Sequence, residues 1–159
     1  MIMTKKTLYL LVALLCLPFD AFLQTNIHII PTPAKIITGS NQMFSTGNIS
    51  YWVSEDSLLP LMQVLKQDTR LFSAVSFNGI ADKQAANLQV NKVNTLKTDE
   101  YTVDIKDRIV INAGSCQSAA WALTSVLQLM ELNKNKIRLP QVSIHDQPAG
   151  TYRGVLLDV

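Results

Sequence analysis

Hydrophobic and polar residues alternate along most of the chain in short units, and their spacing predicts several strands. Residues 49–53 form an apolar, aromatic-rich run after a Gly-Asn turn, which predicts a strand. Residues 88–93 alternate with a period of two, as a half-buried strand does. Residues 101–105 and 109–111 alternate in the same way on either side of a short polar turn, and they predict a hairpin.

Two other segments repeat their apolar residues at helical spacing. The first places Leu58, Leu61, Met62 and Leu65 on one face, and its Pro60 falls in the first turn, where a helix tolerates proline. The second begins after Gly114-Ser115 and ends at the polar run 133–136; its apolar face comprises Cys116, Ala119, Ala120, Leu123, Val126, Leu127 and Met130.

Strand hairpins with helices between them are typical of two packed layers. The pattern therefore predicts a small α+β fold in which helices cover one face of a mainly antiparallel sheet. A last apolar run, residues 155–157, follows a glycine at the end of the chain and is typical of a strand buried on both faces. Because no neighbouring strand follows it, we expect the chain to be the front part of a larger protein, cut inside its second domain.

The N-terminus predicts export. Lys5 and Lys6 precede an apolar run over residues 7–19, which is shorter than the roughly 20 residues that span a bilayer. A buried core helix fits less well, because the run is terminal and has basic residues on one side only. We expect residues 1–25 to be a signal peptide and the mature protein to be periplasmic or extracellular. We expect the protein to contact a membrane only through this export signal.

The two cysteines do not predict a disulfide. Leu15 precedes Cys16 where a lipoprotein signal requires a small residue, which argues against a lipid anchor. Removal of the leader leaves Cys116 without a partner in the mature chain. The formal net charge is +2 and the basic residues are scattered, so no stripe of Lys and Arg predicts nucleic acid as a partner.

The mature residues contain no recognisable catalytic or metal-binding motif. His28 and His145 lie far apart in sequence, and no HExxH or CxxC spacing is present, so we expect neither a metal nor a cofactor. Both histidines are expected at the surface or in ordinary hydrogen bonds. Cys116 lies on the apolar helix face, which favours an inert buried thiol over an activated one. The acidic residues around the hairpin, Asp99, Glu100, Asp104 and Asp107, are expected to be solvated.

Six segments together resemble a known enzyme family. They are IIPTP (29–33), EYTV (100–103), IVINA (109–113), AAWALTSVLQL (119–129), and IHDQP (144–148) followed by YRGVLLDV (152–159). Their order and spacing resemble the non-catalytic N-terminal domain of family 20 glycoside hydrolases, which are β-N-acetylhexosaminidases. The resemblance implies that residues 26–145 form this domain and that residues 146–159 are the linker and first strand of a (β/α)₈ catalytic barrel.

The resemblance also implies a mechanism that this chain alone does not complete. In the family, the 2-acetamido oxygen of the substrate attacks the anomeric carbon, while a glutamic acid protonates the leaving oxygen and an aspartate orients the acetamide. Both acids belong to a later barrel strand, so no catalytic residue is assigned here. Of the sugar-binding residues only Arg153 corresponds, and it is expected to donate paired hydrogen bonds to sugar hydroxyls. A structural role is expected for Asp158.

We therefore interpret the chain as the front of an exported β-N-acetylhexosaminidase that acts on terminal N-acetylhexosamine residues of glycans. The parent family consists of enzymes, whereas the chain as it stands is expected to be inactive. The alternative is a separate exported module that binds a protein or a glycan without turnover. The coding frame beyond Val159 distinguishes the two, because only the enzyme needs a barrel that carries the Asp-Glu pair.

Overall fold

The computed structural model describes residues 27–71, 73–133 and 135–147, which form one mixed sheet and two α-helices. The predicted signal peptide and the 152–159 motif lie outside these residues. The elements are β1 Lys35–Thr46, β2 Asn48–Val53, a short 3₁₀ helix Asp56–Leu58, α1 Leu59–Arg70, β3 Ser76–Gly79, β4 Leu88–Lys92, β5 Tyr101–Ile105, β6 Ile109–Ala113, α2 Cys116–Leu129, β7 Glu131–Asn133 and β8 Lys136–Asp146.

The strands are arranged in the order β1-β8-β5-β6-β4-β2-β3, and β7 pairs with the first part of β8. The β1, β8, β5 and β6 half is antiparallel. The other half, from β6 through β4 and β2 to β3, is parallel. Parallel neighbours need a crossover, and α1 provides the one between β2 and β3. The predicted α+β class with helices against a mainly antiparallel sheet is confirmed, although the parallel half was not predicted.

The core lies between one face of the sheet and the helix layer. α2 packs on β4, β5, β6 and β8, while α1 packs against α2. Ala119 and Ala122 are fully buried, and their small side chains let α2 approach the sheet closely. The central strands supply the opposite wall, whose largest fully buried residues are Leu88, Val90, Ile105, Ile109, Ile111, Ile137, Leu139 and Ile144.

Both predicted helices are confirmed, and their starts differ in how they are capped. Ser115 caps α2: its Oγ accepts a hydrogen bond from the Ser118 N–H, while Ser118 Oγ accepts one from the Ser115 N–H. α1 has no side-chain cap. The 3₁₀ helix directly precedes α1, and Pro60 lies in the first turn of α1. A proline there loses no intrahelical bond, since the first N–H groups have no partner in any helix.

The end of the second helix differs from the prediction. α2 ends at Leu129, before the polar run 133–136, because Glu131–Asn133 turns back to pair with the start of β8. The long strands β1 and β8 were not predicted either. β1 has a register shift between Thr38 and Met43, and in β8 both Pro140 and Gln141 are half-buried between two alternating stretches. These irregularities break the period of two by which strands are detected.

β4 is more deeply buried than its alternating pattern predicts. The prediction was a half-buried strand, but Leu88 and Val90 face the core while Gln89 and Asn91, on the other face, are also buried. The loop before the strand covers that second face. Gln89 Nε2 donates to the Lys83 carbonyl at 2.7 Å, and Lys83 Nζ donates to Asn91 Oδ1 at 2.8 Å.

We expect the part of the chain from residue 26 to 147 to fold without any further domain, because the sheet and the helices bury one continuous core against each other. Limited proteolysis of a protein comprising residues 26–159 should therefore remove residues after Gln147 before it cuts β4, β5, β6 or α2. Mass spectrometry of the early fragments measures this order. Simultaneous cleavage within α2 and after Gln147 would contradict the prediction.

Candidate functional site

The predicted substrate ligand, Arg153, lies outside the described residues, and the end of β8 is the described region next to it in sequence. Arg153 follows Gln147 by six positions.

Two side chains of a neighbouring loop contact the end of β8 and the residue that follows it. Glu100 Oε1 lies 2.7 Å from His145 Nε2, and Lys97 Nζ donates a hydrogen bond to Gln147 Oε1 at 3.1 Å. Glu100 Oε2 also accepts the Lys97 backbone N–H at 3.0 Å, which closes the loop on itself. We call five residues the exit clamp: Lys97, Glu100, His145, Asp146 and Gln147.

Asp146 joins the two ends of the domain. Its backbone pairs with Tyr101 of β5, on the core side of the sheet, and its side chain is buried. Asp146 Oδ1 accepts the backbone N–H of Ala34 at 3.0 Å. Ala34 directly precedes β1, so this single carboxylate links the entry of the first strand to the exit of the last one. A buried carboxylate is tolerated when hydrogen bonds satisfy it.

Hydrogen bonds stabilise the ionised form of Glu100. Two hydrogen bonds hold the pKa of the Glu100 carboxyl below its ordinary value of 4.5. The larger effect comes from the Lys97 backbone N–H, and the smaller one comes from the His145 side chain. A carboxyl whose pKa is lowered by folding stabilises the folded chain above its unfolded pKa. That contribution is lost as the pH falls through the lowered value in the folded state.

The loop that carries Lys97 and Glu100 is fixed against the start of α2. The Gly114 N–H donates to the Glu100 carbonyl at 3.0 Å, and Ser115 Oγ donates to the Thr98 carbonyl at 2.6 Å. A Cβ on Gly114 would lie only 1.8 Å from the Lys97 carbonyl oxygen, so the backbone of the loop fits closely over this glycine. The loop that carries Lys97 and Glu100 of the exit clamp is thus fixed to the start of α2.

The other residues considered for chemistry form no common site. Cys116 is half-buried rather than fully buried, and its Sγ lies 3.3 Å from Ser57 Oγ. His28 is exposed and lines a groove of about 370 Å³ together with Met43, Gln128 and Glu131. Within residues 27–71, 73–133 and 135–147, no group of three or more His, Cys, Asp or Glu side chains is placed to hold a metal ion. No helix in these ranges is long and apolar enough to cross a membrane.

Two of the carboxylates expected to be solvated instead contact side chains of β8. Asp104 Oδ1 accepts from Ser143 Oγ at 2.5 Å across the β5–β8 pair, and Glu100 belongs to the exit clamp. Asp107, in the hairpin turn, is exposed as predicted. The prediction failed for Asp104 and Glu100 because their partners lie about 40 positions further along the chain, on a strand that the sequence pattern did not reveal.

Comparisons with known proteins agree with the fold. The model of glycosyl hydrolase family 20, domain 2, matches residues 26–147. A β-hexosaminidase of Porphyromonas gingivalis is 28% identical over 146 residues, covering 84% of this chain and 19% of that protein. The solved structure of a family 20 exo-β-N-acetylglucosaminidase from Vibrio harveyi, in complex with N-acetylglucosamine, matches with a TM-score of 0.67 at 20% identity.

That structural match covers 77% of this chain and 19% of the Vibrio protein. A chitobiase of Flavobacterium johnsoniae is 28% identical and matches with a TM-score of 0.60, over 80% of this chain and 22% of its own. The chain therefore spans about a fifth of the length of these relatives.

Proposed function

The chain belongs to glycosyl hydrolase family 20, and we propose that it is the N-terminal part of an exported β-N-acetylhexosaminidase. The observation that carries the proposal is the family match over residues 26–147, supported by the fold shared with the Vibrio enzyme. The resemblance read from the sequence is thereby confirmed at the level of the family. The substrate class we propose is a glycan with a terminal N-acetylhexosamine, which the complete enzyme hydrolyses with the help of the acetamido group.

Within that enzyme, the described residues form a support rather than a catalytic centre. The family mechanism needs an acid that protonates the leaving oxygen and a carboxylate that orients the acetamide. Three carboxylates of the domain already have other partners: Glu100 contacts His145, Asp104 accepts from Ser143, and Asp146 accepts from the backbone of Ala34. We therefore assign the acid and the orienting carboxylate to the region that follows Val159, where the barrel motif of residues 152–159 leads.

Export is the second part of the proposal. Its support is the basic start followed by the apolar run over residues 7–19. Expression with the native N-terminus in a bacterial host, followed by cell fractionation and intact-mass analysis, tests it. We expect a mature N-terminus between Ala21 and Asn26 in the exported fraction. An uncleaved protein in the cytoplasm would contradict export without affecting the assignment to the family.

The 159-residue chain is predicted not to hydrolyse a chromogenic N-acetyl-β-glucosaminide, whereas the protein read from a frame that continues through the barrel should do so. Positioned proton transfer alone accelerates such reactions by about 10²- to 10⁴-fold, and the short chain lacks the acid that provides it. Release of the chromophore by both proteins at equal molar concentration measures the difference. A deletion of residues 152–159 in the short chain controls for a contaminating hydrolase.

Two outcomes would overturn this assignment. Turnover by the short chain that survives repurification and disappears with a substitution inside it would place catalysis here. A coding frame that ends at Val159 would remove the barrel, and the alternative of a module that binds without turnover would then stand.

A further inference from the structure

Asn78 and Gly79 form the one Asn-Gly pair of the sequence, and they lie at the end of β3. The side-chain amide of an asparagine is attacked most easily by the following backbone nitrogen when that residue is glycine, because glycine has no Cβ to obstruct the approach. Asparagine is for this reason one of the thermolabile residues of proteins. The reaction also requires a backbone that can leave its folded conformation, so the position of the pair in the sheet matters.

β3 is a weakly held strand. It has four residues, of which only Phe77 is buried, and it is the last strand at its end of the sheet among the residues that the structure describes. Asn78 and Gly79 are both exposed. Short strands at the edge of a sheet open locally at a lower free energy than the central strands. Asn78 and Gly79 can therefore leave the extended conformation while the rest of the domain stays folded.

The backbone nitrogen of Gly79 points toward the open edge of the sheet. The Ile80 N–H donates to the Tyr51 carbonyl of β2 at 3.0 Å. Because successive backbone N–H groups of a strand point in opposite directions, the Gly79 N–H points away from β2. Local opening at Gly79 therefore breaks no hydrogen bond between this N–H group and β2.

One contact opposes the attack on the side chain of Asn78. Asn78 Nδ2 donates to Asn48 Oδ1 at 3.1 Å, and the same oxygen accepts from Ser76 Oγ at 2.8 Å. The Asn48 backbone carbonyl accepts from Asn87 Nδ2 at 2.8 Å, which ties the start of β2 to the residue before β4. The carboxamide that must turn toward Gly79 is thus held by β2.

We propose that Asn78 is a self-modifying site, which deamidates through a succinimide formed with Gly79 at a rate that the hydrogen bond to Asn48 limits. The Gly79 nitrogen forms a bond to Asn78 Cγ while the bond from Cγ to Nδ2 breaks. Solvent carries the N–H proton to the leaving group, which departs as ammonia. One water molecule then opens the ring at either carbonyl and leaves aspartate or isoaspartate.

The isoaspartate product should open the edge of the sheet. Its side-chain carbon becomes part of the main chain, so that β3 gains one backbone atom at residue 78. Asn78 lies opposite Ser50 in the parallel β2–β3 register, and Gly79 lies opposite Tyr51. An extra atom displaces the residues that follow it from this register, and a strand of four residues has no other pairs to compensate. The opening of β3, reversible before the reaction, then becomes permanent.

The first test is incubation of the 159-residue chain at mildly alkaline pH, followed by peptide mass spectrometry. Asn78 should gain about one mass unit at least about tenfold faster than Asn94, which is also exposed but precedes Thr95, whose branched Cβ obstructs the attack. Gly79→Ala should slow the reaction at Asn78 about tenfold, and its Cβ meets only the side chain of Tyr51. Equal rates at Asn78 and Asn94, or in Gly79→Ala and the unsubstituted chain, would overturn the proposal.

The second test removes the hydrogen bond that holds the amide. Asn48→Ala should accelerate the reaction at Asn78 about fivefold, the effect of one exposed hydrogen bond on a local opening. Asn112→Ala is the matched control, since it removes a similar bond, to Thr102 Oγ1, in the middle of the sheet. Its rate should equal that of the unsubstituted chain. An unchanged rate in Asn48→Ala would refute the limiting role of Asn48.

The third test concerns the product. Amide hydrogen exchange of residues 76–79 should be at least about tenfold faster in the purified isoaspartate form than in the unmodified chain. Asn78→Asp has the charge of the product with an ordinary main chain, and it should change the exchange by less than about threefold. Equal exchange in the isoaspartate form and the unmodified chain would refute the opening of β3.

Discussion

Replacing Gly114 by alanine is expected to lower the free energy of unfolding by about 3 kcal/mol. The added Cβ would lie 1.8 Å from the carbonyl oxygen of Lys97 and 2.6 Å from its carbonyl carbon. Both are backbone atoms, so no change of side-chain rotamer relieves the contact. Either the loop of residues 97–100 moves away from the start of α2, or the helix start shifts on the sheet.

Each of these movements breaks hydrogen bonds. A displaced loop loses the bond from the Gly114 N–H to the Glu100 carbonyl, and a displaced helix start loses the bond from Ser115 Oγ to the Thr98 carbonyl. The reason for a glycine at this position is therefore the close approach of another backbone segment rather than a left-handed conformation. The exit clamp should weaken together with the fold, because Lys97 and Glu100 both belong to the loop that moves.

Urea denaturation of a protein comprising residues 26–159, followed by far-UV circular dichroism, measures the loss. Gly79→Ala is the control, since its Cβ would meet the hydroxyl of Tyr51 at 3.1 Å, at the far end of a side chain that can rotate away. We expect Gly79→Ala to cost less than about 1 kcal/mol. Equal denaturation midpoints for the Gly114 variant and the unsubstituted chain would show that the loop is free to move.

The sequence predicted those parts of the fold whose determinants lie close together along the chain. The helix α2 combines a serine cap with six of the seven apolar positions predicted at helical spacing, and the β5–β6 hairpin has two regular alternating runs around one turn. Both signals are contained in fewer than 20 consecutive residues, and both elements were found. The same is true of α1, whose apolar residues and early Pro60 point to one helix start.

The residues of the candidate site had no comparable local pattern in the sequence. The exit clamp joins Glu100 to His145, which are 45 positions apart, and Asp146 to Ala34, which are 112 positions apart. These pairs meet only because β8 inserts between β1 and β5, and the irregular burial of β8 near Pro140 hid that strand from a periodicity argument. The family resemblance did include residues 100–103 and 144–148, which are the two segments that the structure brings together.

Arg153→Lys in the full-length enzyme is expected to reduce kcat/KM at least tenfold, with little change in melting temperature. Two parallel hydrogen bonds from a guanidinium to sugar hydroxyls in a desolvated pocket are worth ~2 to 4 kcal/mol, and a lysine ammonium does not reproduce the planar fork. The competing role is a structural ion pair with Asp146, the last residue of β8. The structure disfavours it, because Asp146 is only 5% exposed and already accepts a hydrogen bond from Ala34.

Steady-state kinetics on a chromogenic N-acetyl-β-glucosaminide, together with thermal unfolding of the same preparations, separate the two roles. A loss of transition-state stabilisation without a loss of stability assigns Arg153 to the substrate. Arg138→Lys is the control, since Arg138 is an exposed arginine of β8 that contacts Glu131 at the far end of the strand. Its kinetics should match those of the unsubstituted enzyme. Unchanged kinetics in Arg153→Lys, or a fall in melting temperature large enough to account for the lost activity, would assign Arg153 to the scaffold.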